Sequence, residues 1–253
     1  MINKVVESFD KAVADIPDGA TVHIGGFVGP NYAPGYLIAA LARHAPKRLT
    51  VVTTAMGLGR AQSGDYAESV KHLFTMPVDY VHPALLAELH LVAKAITTFP
   101  ASSGRGEGPL EALLRKGEAE VELIGQGSLA ERIRAARAGI AAFYTPVGAG
   151  TSVADGKETR DFNGVPHLLE TALPADFALI RAHRADRYGN LTYRGPSSFN
   201  GTMAGAARVT IAEVDEVVPL GVLDPHAIVT PGVYVQRVLQ RPAVPVASWE
   251  QPC

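Results

Sequence analysis

The chain joins a turn, a short apolar strand and a pair of glycines in one ten-residue stretch, Asp18-Gly19-Ala20-Thr21-Val22-His23-Ile24-Gly25-Gly26-Phe27. Glycine lacks a Cβ atom, so two glycines at the end of a strand let a ligand or another backbone segment approach closely. In an open α/β sheet, ligands bind just outside the carboxyl ends of the strands. The stretch therefore predicts a strand of such a sheet and marks the edge where a site lies.

The residues that follow predict helices and strands in alternation. Residues 36–44 place Leu37, Ile38 and Leu41 on one helical face, and residues 49–54 are apolar and β-branched, as in a buried strand. A helix, a strand, a helix and a strand follow over residues 110–144. This alternation predicts an α/β fold with an open, largely parallel sheet and flanking helices.

The second half of the chain favours hairpins. Strand-like segments at 177–183 and 191–194 flank the turn-forming residues 186–190, and two more strands are predicted within 209–220. We interpret residues 1–253 as a single domain with a hairpin-rich second half.

Three further segments lie toward the ends of the chain. Apolar residues at helical spacing predict helices over residues 3–15 and 234–239. Residues 242–253 contain prolines and are expected to form a loosely packed tail.

Composition excludes several classes of protein. Of the 253 residues, 47% are hydrophobic and 19% are charged, which is typical of a globular protein, and the net charge of −2 gives no electrostatic basis for binding nucleic acid. No run approaches the roughly 20 apolar residues that a membrane span needs. The expected partners therefore include neither nucleic acid nor a membrane.

Cysteine and histidine add little chemistry. The one cysteine, Cys253, allows no internal disulfide, which fits a cytoplasmic location. The histidines lack metal-ligand spacing, so no metal site is expected. His23 lies next to the glycine pair, and we interpret it as a core histidine rather than a general base.

Three glycine-rich turns follow predicted strands: Gly25-Gly26-Phe27, Gly125-Gln126-Gly127-Ser128 and Gly148-Ala149-Gly150-Thr151. Each could present backbone N–H groups to an anion, above all where a helix begins next. In the second turn, Ser128 and Glu131 form a capping-box pattern, which predicts a helix beginning there. The alternative interpretation is that the glycines only make tight turns.

Other catalytic motifs are missing. The sequence has no dinucleotide fingerprint, no phosphate-binding loop ending in Gly-Lys-Ser/Thr and no Gly-x-Ser-x-Gly nucleophile elbow. Glu131 and Glu170 do not lie in glycine-flanked exposed turns, and Glu107 lies in a segment whose composition predicts a mobile surface loop. None of the three is therefore a convincing covalent nucleophile.

The chain resembles the α subunit of family I coenzyme A transferases, which have a fold similar to NagB and RpiA. The resemblance runs from about residue 3 to residue 239. It is carried by the stretch 18–27, by 125–134 and 142–151, and by these shorter motifs: Arg160-Asp161-Phe162-Asn163-Gly164, Asp176-Phe177-Ala178-Leu179, Ala185-Asp186-Arg187-Tyr188-Gly189-Asn190 and Ser198-Phe199-Asn200.

The resemblance implies a ping-pong reaction that moves CoA between carboxylic acids through a glutamyl-CoA thioester. In the family this glutamate lies on a β subunit in a Ser-Glu-Asn-Gly type turn, which the present chain lacks. The chain is thus expected to be half of an enzyme, in an α2β2 assembly, with CoA as a substrate and no cofactor.

The resemblance also implies roles for individual residues. Gln126 matches the position whose backbone N–H is one donor of the oxyanion hole. Gly25, Gly26 and Phe27 match the motif that lines the acyl or carboxylate pocket. Two more residues are carried over as substrate-binding positions: Thr54 and Gly127.

Two departures from the family pattern concern the acyl pocket. The loop over residues 28–33 is longer, with Asn31 and Pro34 in place of the family's glycine and an earlier proline. An Asn pair is replaced within residues 53–57, and Phe27, Tyr32 and Met56 suggest a more apolar pocket. The acyl group is therefore expected to differ from succinate, acetoacetate and oxoadipate.

Two other functions remain open on the sequence alone. The altered loop allows a CoA-ester hydrolase or a ring-opening hydratase on the same fold. A non-catalytic ligand-binding module is the third possibility.

Overall fold

A computed structural model describes residues 2–27, 33–56, 81–101 and 106–242. The elements, in chain order, are α1 (Phe9–Val13), β1 (Thr21–Ile24), α2 (Gly35–His44), β2 (Leu49–Ala55), α3 (Ala84–Glu88), β3 (Val92–Phe99), α4 (Pro109–Lys116), β4 (Glu120–Leu123), α5 (Gln126–Arg137), β5 (Ala142–Thr145), β6 (Thr159–Phe162), β7 (Val165–Thr171), β8 (Ala175–Asp186), β9 (Leu191–Thr192), α6 (Ser198–Met203), β10 (Ala207–Val218) and β11 (Arg237–Gln240). Short 3₁₀ helices lie at Ser152–Ala154, Pro225–Ala227 and Gly232–Tyr234.

The main sheet has the strand order β11-β10-β8-β1-β2-β3-β4, with every neighbouring pair parallel. β9 is antiparallel to β8, and β5, β7 and β6 form a separate antiparallel sheet. This arrangement confirms the predicted α/β fold with an open, largely parallel sheet.

Both faces of the main sheet are covered by helices. One apolar core packs α1, α2, α3 and α4 against one face, and a second packs α5 and α6 against the other. Since side chains alternate along a strand, Val22 and Ile24 of β1 enter the first core, and His23 faces the second. The parallel strands thus bring their carboxyl ends to one edge between two helical layers.

The hairpin prediction is right for part of the second half only. β6 and β7 pair as neighbours, and so do β8 and β9. The two strands expected within 209–220 are instead the single strand β10, which runs parallel to β8. The apolar centre of β10 is buried on both faces, as central parallel strands are.

One predicted helix is shorter than expected and another is wrong, because tertiary pairing overrides local spacing. Residues 3–15 contain only α1, capped by the Ser8 hydroxyl, and Val5 is extended where it bridges Val238. Residues 237–240 form β11, which adds to β10. Val238 enters the second core and Leu239 the first, so adjacent apolar residues imitate a helical pattern.

Two other expectations concern the end of the chain and its possible membrane contacts. Within the described ranges, no helix is long and apolar enough to cross a membrane. The expected tail, apart from Pro242, lies outside the described residues.

His23 is a buried polar residue of β1 that faces the second core. It is fully buried, and neither ring nitrogen makes a hydrogen bond of normal geometry to the described residues, although the Leu173 carbonyl lies near enough to favour the protonated ring slightly. Burial lowers the pKa of His23 from 6.5 to about 3. The imidazole is therefore neutral in the folded protein at neutral pH.

We predict that His23 makes the protein sensitive to acid. The unfolded chain binds a proton near pH 6.5 and the folded chain does not, so stability is lost as pH falls from 6.5 toward 3, at about 1.4 kcal/mol per pH unit. His82, whose pKa burial also lowers to about 3, adds a second effect of the same sign.

The check is urea unfolding of wild type and His23→Leu between pH 7 and 4.5. In His23→Leu, the slope of the free energy of unfolding against pH should lose about half of its histidine-dependent part. His226→Gln changes an exposed histidine and should keep the wild-type slope. An unchanged slope in His23→Leu contradicts the prediction.

Candidate active site

A cavity of about 400 Å³ lies at the carboxyl edge of the main sheet, where α5 and α6 meet the end of β1. Its lining is mostly apolar or aromatic, with three uncharged polar side chains. It is formed by Phe27, Gln126, Ala130, Pro196, Ser198, Phe199 and Thr202. A cavity of this size and character suits a small organic ligand or part of a larger one.

Phe27 forms one wall of this cavity. Its side chain is 36% exposed, and its ring centroid lies 6.2 Å from that of Phe199 on α6. The preceding Gly26 has φ +119°, a conformation that residues with a Cβ rarely adopt. The backbone therefore turns sharply at Gly26 and carries the exposed ring of Phe27 to the cavity.

Gly25 is required for a different reason. Its N–H donates to the Leu179 carbonyl at 2.9 Å, which continues the pairing of β1 with β8. A Cβ at Gly25 would lie 2.0 Å from Oδ1 of Asn200, and that oxygen accepts the Arg181 N–H at 2.9 Å. Asn200 is 1% exposed. The buried carboxamide thus occupies the space beside Gly25 and joins α6 to β1 and β8.

Gln126 is the first residue of α5 and lines the cavity. The first N–H groups of a helix have no acceptor within the helix, and the helix dipole adds partial positive charge there. Gly125, Gln126 and Gly127 are all exposed. The amino end of α5 therefore presents backbone donors at the cavity wall.

The capping box predicted at Ser128 is wrong. The helix begins three residues earlier than predicted, with Gly125 as the N-cap and no side-chain capping bond, and Ser128 is buried inside the first turn. The donors at the start of α5 are thus left without a side-chain cap from the N-cap residue.

Arg132 anchors α5 to the strands beside it. Its Nε donates to the Thr171 carbonyl at 2.8 Å, and its guanidinium contacts Glu122 of β4 at 2.5 Å. The guanidinium is 9% exposed and also lies 3.8 Å from the buried carboxylate of Glu170. These contacts hold α5 in a fixed position relative to β4 and β7.

The structure brings together two of the six predicted site residues, Phe27 and Gln126. Gly25 and Gly26 position Phe27, and Gly127 follows Gln126 in the helix. Thr54 is buried, with its carbonyl accepting the Thr98 hydroxyl at 2.6 Å. These four residues are not among those that line the cavity, and their substrate contacts stay predictions.

Three other expectations about the site have different outcomes. Gly148-Ala149-Gly150 follows β5 in the small sheet, so the third glycine-rich turn does not share the edge of the other two. Met56 is fully buried in the first core, which does not support a role in an apolar pocket. The lengthened loop over residues 28–33, apart from Ala33, lies outside the described residues.

Sequence reasoning missed the contribution of α6. Ser198, Phe199 and Thr202 line the cavity, and Ser198 has φ 51°. The motif Ser198-Phe199-Asn200 contributed to the family resemblance but indicated no role by itself. Within the described part of the chain, no cluster of three or more His, Cys, Asp or Glu residues could hold a metal.

Comparison with known proteins identifies the family. The family model for coenzyme A transferase matches residues 6–241. The chain belongs to the coenzyme A transferase family. This finding confirms the resemblance inferred from the sequence.

Individual relatives agree with this assignment. The chain is 43% identical over 240 residues to the A subunit of the 3-oxoadipate CoA-transferase of Pseudomonas putida, covering 94% of both chains. It is 39% identical over 239 residues to the A subunit of the succinyl-CoA:3-ketoacid coenzyme A transferase of Helicobacter pylori, covering 94% of this chain and 92% of the relative. The chain therefore corresponds to a transferase subunit of the A type.

A solved structure extends the likeness to the fold. The decarboxylase AibA/AibB is 26% identical, with a TM-score of 0.72 and coverage of 95% of this chain and 84% of that chain.

We predict that Gly25→Ala destabilises the protein by about 2–3 kcal/mol, because the new methyl group overpacks against Asn200 and displaces its bond to Arg181. Gly127→Ala is the matched control, since a Cβ there meets nothing within 4 Å and alanine is favoured in a helix. Thermal unfolding of both variants measures the difference. Equal midpoints for the two variants would disprove the close-approach role of Gly25.

Proposed function

We propose that the chain is the α subunit of a heteromeric CoA transferase that moves CoA between an acyl-CoA and a carboxylic acid. One observation carries the proposal: the exposed amino end of α5 and the ring of Phe27, which follows β1, line the same cavity. No carboxylate is among the described residues that line this cavity. The cavity offers donors for an oxyanion and a surface for an acyl group. The nucleophile is left to another chain.

In the proposed reaction, the nucleophile is a glutamate of the β subunit, which attacks the thioester carbonyl carbon of the acyl-CoA. The oxygen of the tetrahedral intermediate carries negative charge, which the Gln126 N–H stabilises together with the dipole of α5. The carbon–sulfur bond then breaks. This step leaves an acyl-glutamyl anhydride and the CoA thiolate.

The thiolate next attacks the glutamyl carbonyl of the anhydride and releases the first carboxylic acid. A glutamyl-CoA thioester remains, and a second carboxylate reverses both steps to take the CoA. Each bond that breaks is replaced by one of the same type, so the cycle needs no cofactor and consumes no water.

The cavity also constrains the acyl group. Its wall contains Phe27, Phe199, Pro196 and Ala130, and none of the described lining residues is cationic. A second carboxylate on the acyl group would find no counter-ion among these described lining residues. This composition supports an acyl group less polar than succinate or oxoadipate.

We further propose an α2β2 assembly in the cytoplasm. The relatives are named as A-type subunits, which supports a β partner. The single cysteine of the chain fits a reducing compartment.

The test uses the chain purified with its β partner. The assay follows transfer of CoA from an acyl-CoA to an isotopically labelled carboxylic acid, and borohydride or hydroxylamine traps the thioester on the partner. A trapped glutamate on the β chain supports the proposal. Release of free CoA without transfer would indicate the hydrolase alternative instead.

We predict that Gln126→Pro lowers kcat about 10²–10³-fold, the usual effect of losing one oxyanion donor. Proline removes the N–H but suits the first position of a helix. Gly125 before it has φ −61° and ψ 141°, a conformation that a residue preceding proline favours. The substitution therefore deletes one donor with little disturbance of α5.

Gln126→Ala is the control, because it removes the side chain and keeps the N–H. It should stay within a few-fold of wild-type kcat. A Gln126→Pro enzyme that folds and turns over at the wild-type rate excludes the backbone of Gln126 as the donor.

A further inference from the structure

Charged side chains lie at the carboxyl edge on the face of the sheet that α1 and α2 cover. On β8, β10 and the segment through β11, alternate residues face the first core. Along each strand these residues are apolar at the start and charged or titratable near the carboxyl edge. The charged or titratable residues are Arg181, His183, Glu213, Asp215 and Arg241. They lie on the opposite face of the sheet from α5 and α6.

Glu213 makes the contact between this cluster and α2. Its Oε2 accepts the backbone N–H groups of Tyr36 at 2.9 Å and Leu37 at 3.1 Å. α2 has Pro34 as its N-cap, no side-chain capping bond and no acidic residue in its first turn. A carboxylate from β10 therefore satisfies two donors that α2 leaves open, as a capping side chain does.

The surroundings of Glu213 make this contact sensitive to its charge. Glu213 is fully buried, and burial raises its pKa to about 7, against the lowering effects of Arg241, Arg181 and the two N–H groups. Among the described residues, Oε1 has no hydrogen-bond partner, and Nε of Arg241 lies 3.9 Å away.

Asp215 is the second carboxylate of the cluster, and it lies 3.1 Å from Arg181, 3.2 Å from the His183 ring and 3.4 Å from Arg241. Burial raises the pKa of Asp215, but Arg181, the His183 hydrogen bond and Arg241 together outweigh burial and hold this pKa below its usual value. The Arg241 guanidinium carbon also lies over the Tyr36 ring of α2, 5.3 Å from the ring centroid. The helix N–H groups are thus the closest polar partners of Glu213.

The position of α2 matters for the cavity because α2 follows Phe27 along the chain. β1 ends at the glycine pair and Phe27, and the chain enters α2 through Ala33 and Pro34, both buried. Asn200 fixes the first end of this connection beside Gly25, and Glu213 fixes the second end at Tyr36 and Leu37.

We propose that the Glu213 carboxylate is a positioning residue that holds the amino end of α2 and thereby keeps Phe27 in place for the acyl group. This inference rests on the proposed function for its effect on substrate. Hydrogen bonds to a charged acceptor are roughly twice as strong as neutral ones, and the amino end of a helix favours an anion. Protonation of Glu213 therefore loosens α2 and weakens substrate binding.

The kinetic test measures KM for acyl-CoA and kcat between pH 6 and 8 on the chain with its β partner. If only the ionised form is competent, the wild-type KM rises up to about tenfold from pH 8 to pH 6, since the competent fraction falls by that factor. Glu213→Gln should have a raised KM at pH 8 and lose this part of the pH dependence, with kcat within about twofold.

Glu216→Gln is the matched control. It makes the same change on the same strand, at an exposed residue that pairs with Arg184. It should keep the wild-type KM at every pH. A Glu213→Gln enzyme that folds and follows the wild-type curve of KM against pH would falsify the proposal.

Amide hydrogen exchange separates this inference from the proposed function. At pH 8, Glu213→Gln should speed exchange of the Tyr36 and Leu37 amides about tenfold or more, and Glu216→Gln should not. This result supports the anchoring of α2 even if no CoA transfer is found. Faster exchange with an unchanged KM in an active enzyme overturns the positioning role.

Wild-type protein alone covers the case in which Glu213→Gln does not fold. Protection of the Tyr36 and Leu37 amides, corrected for intrinsic exchange, should fall between pH 8 and pH 6 relative to the Leu41 amide of the same helix. Equal changes at all three amides contradict the proposal.

Discussion

The arrangement of the candidate site depends on the Asn200 carboxamide. Its oxygen accepts the Arg181 N–H of β8 and lies where a side chain at Gly25 would begin. Burying an amide oxygen is unfavourable unless it accepts a hydrogen bond. α6 can therefore pack here only if the Arg181 N–H of β8 is available as a donor and the residue after β1 is a glycine without a side chain. Since α6 contributes Phe199 to the cavity and β1 leads into Phe27, this contact also sets the spacing of the two aromatic walls.

The sheet itself changes character along its strands. The centre of the sheet is buried on both faces, and polar residues replace apolar ones toward its carboxyl edge. Glu213 follows Ile211 on β10, and Arg241 follows Leu239 at the end of β11. At this edge, Glu213 accepts two N–H groups at the start of α2, where backbone donors have no acceptor within the helix. The same strands therefore form the buried core at their centres and position the helices around the candidate site at their carboxyl ends.

Much of the fold could be predicted from the sequence because it rests on local patterns. The stretch through β1, the amphipathic α2 and the apolar β2 each carry their own periodicity. The predictions failed where distant residues decide the outcome. Val5 is extended because it pairs with Val238, and the segment 237–240 is a strand because β10 lies beside it. Phe27 and Gln126 could be selected from their glycine-rich turns, whereas Asn200 and Glu213 act across long sequence separations that no local motif records.

The fold alone does not determine which reaction occurs at the cavity. A decarboxylase with 26% identity has the same architecture, whereas transferase subunits reach 43% identity along nearly the whole chain. What distinguishes such reactions is the group opposite the helix donors, because the same oxyanion stabilisation serves attack by a carboxylate or by water. In the proposed function, this chain supplies the backbone donors and the apolar wall for the acyl group. Under that proposal, the partner surface that completes the cavity determines which reaction occurs.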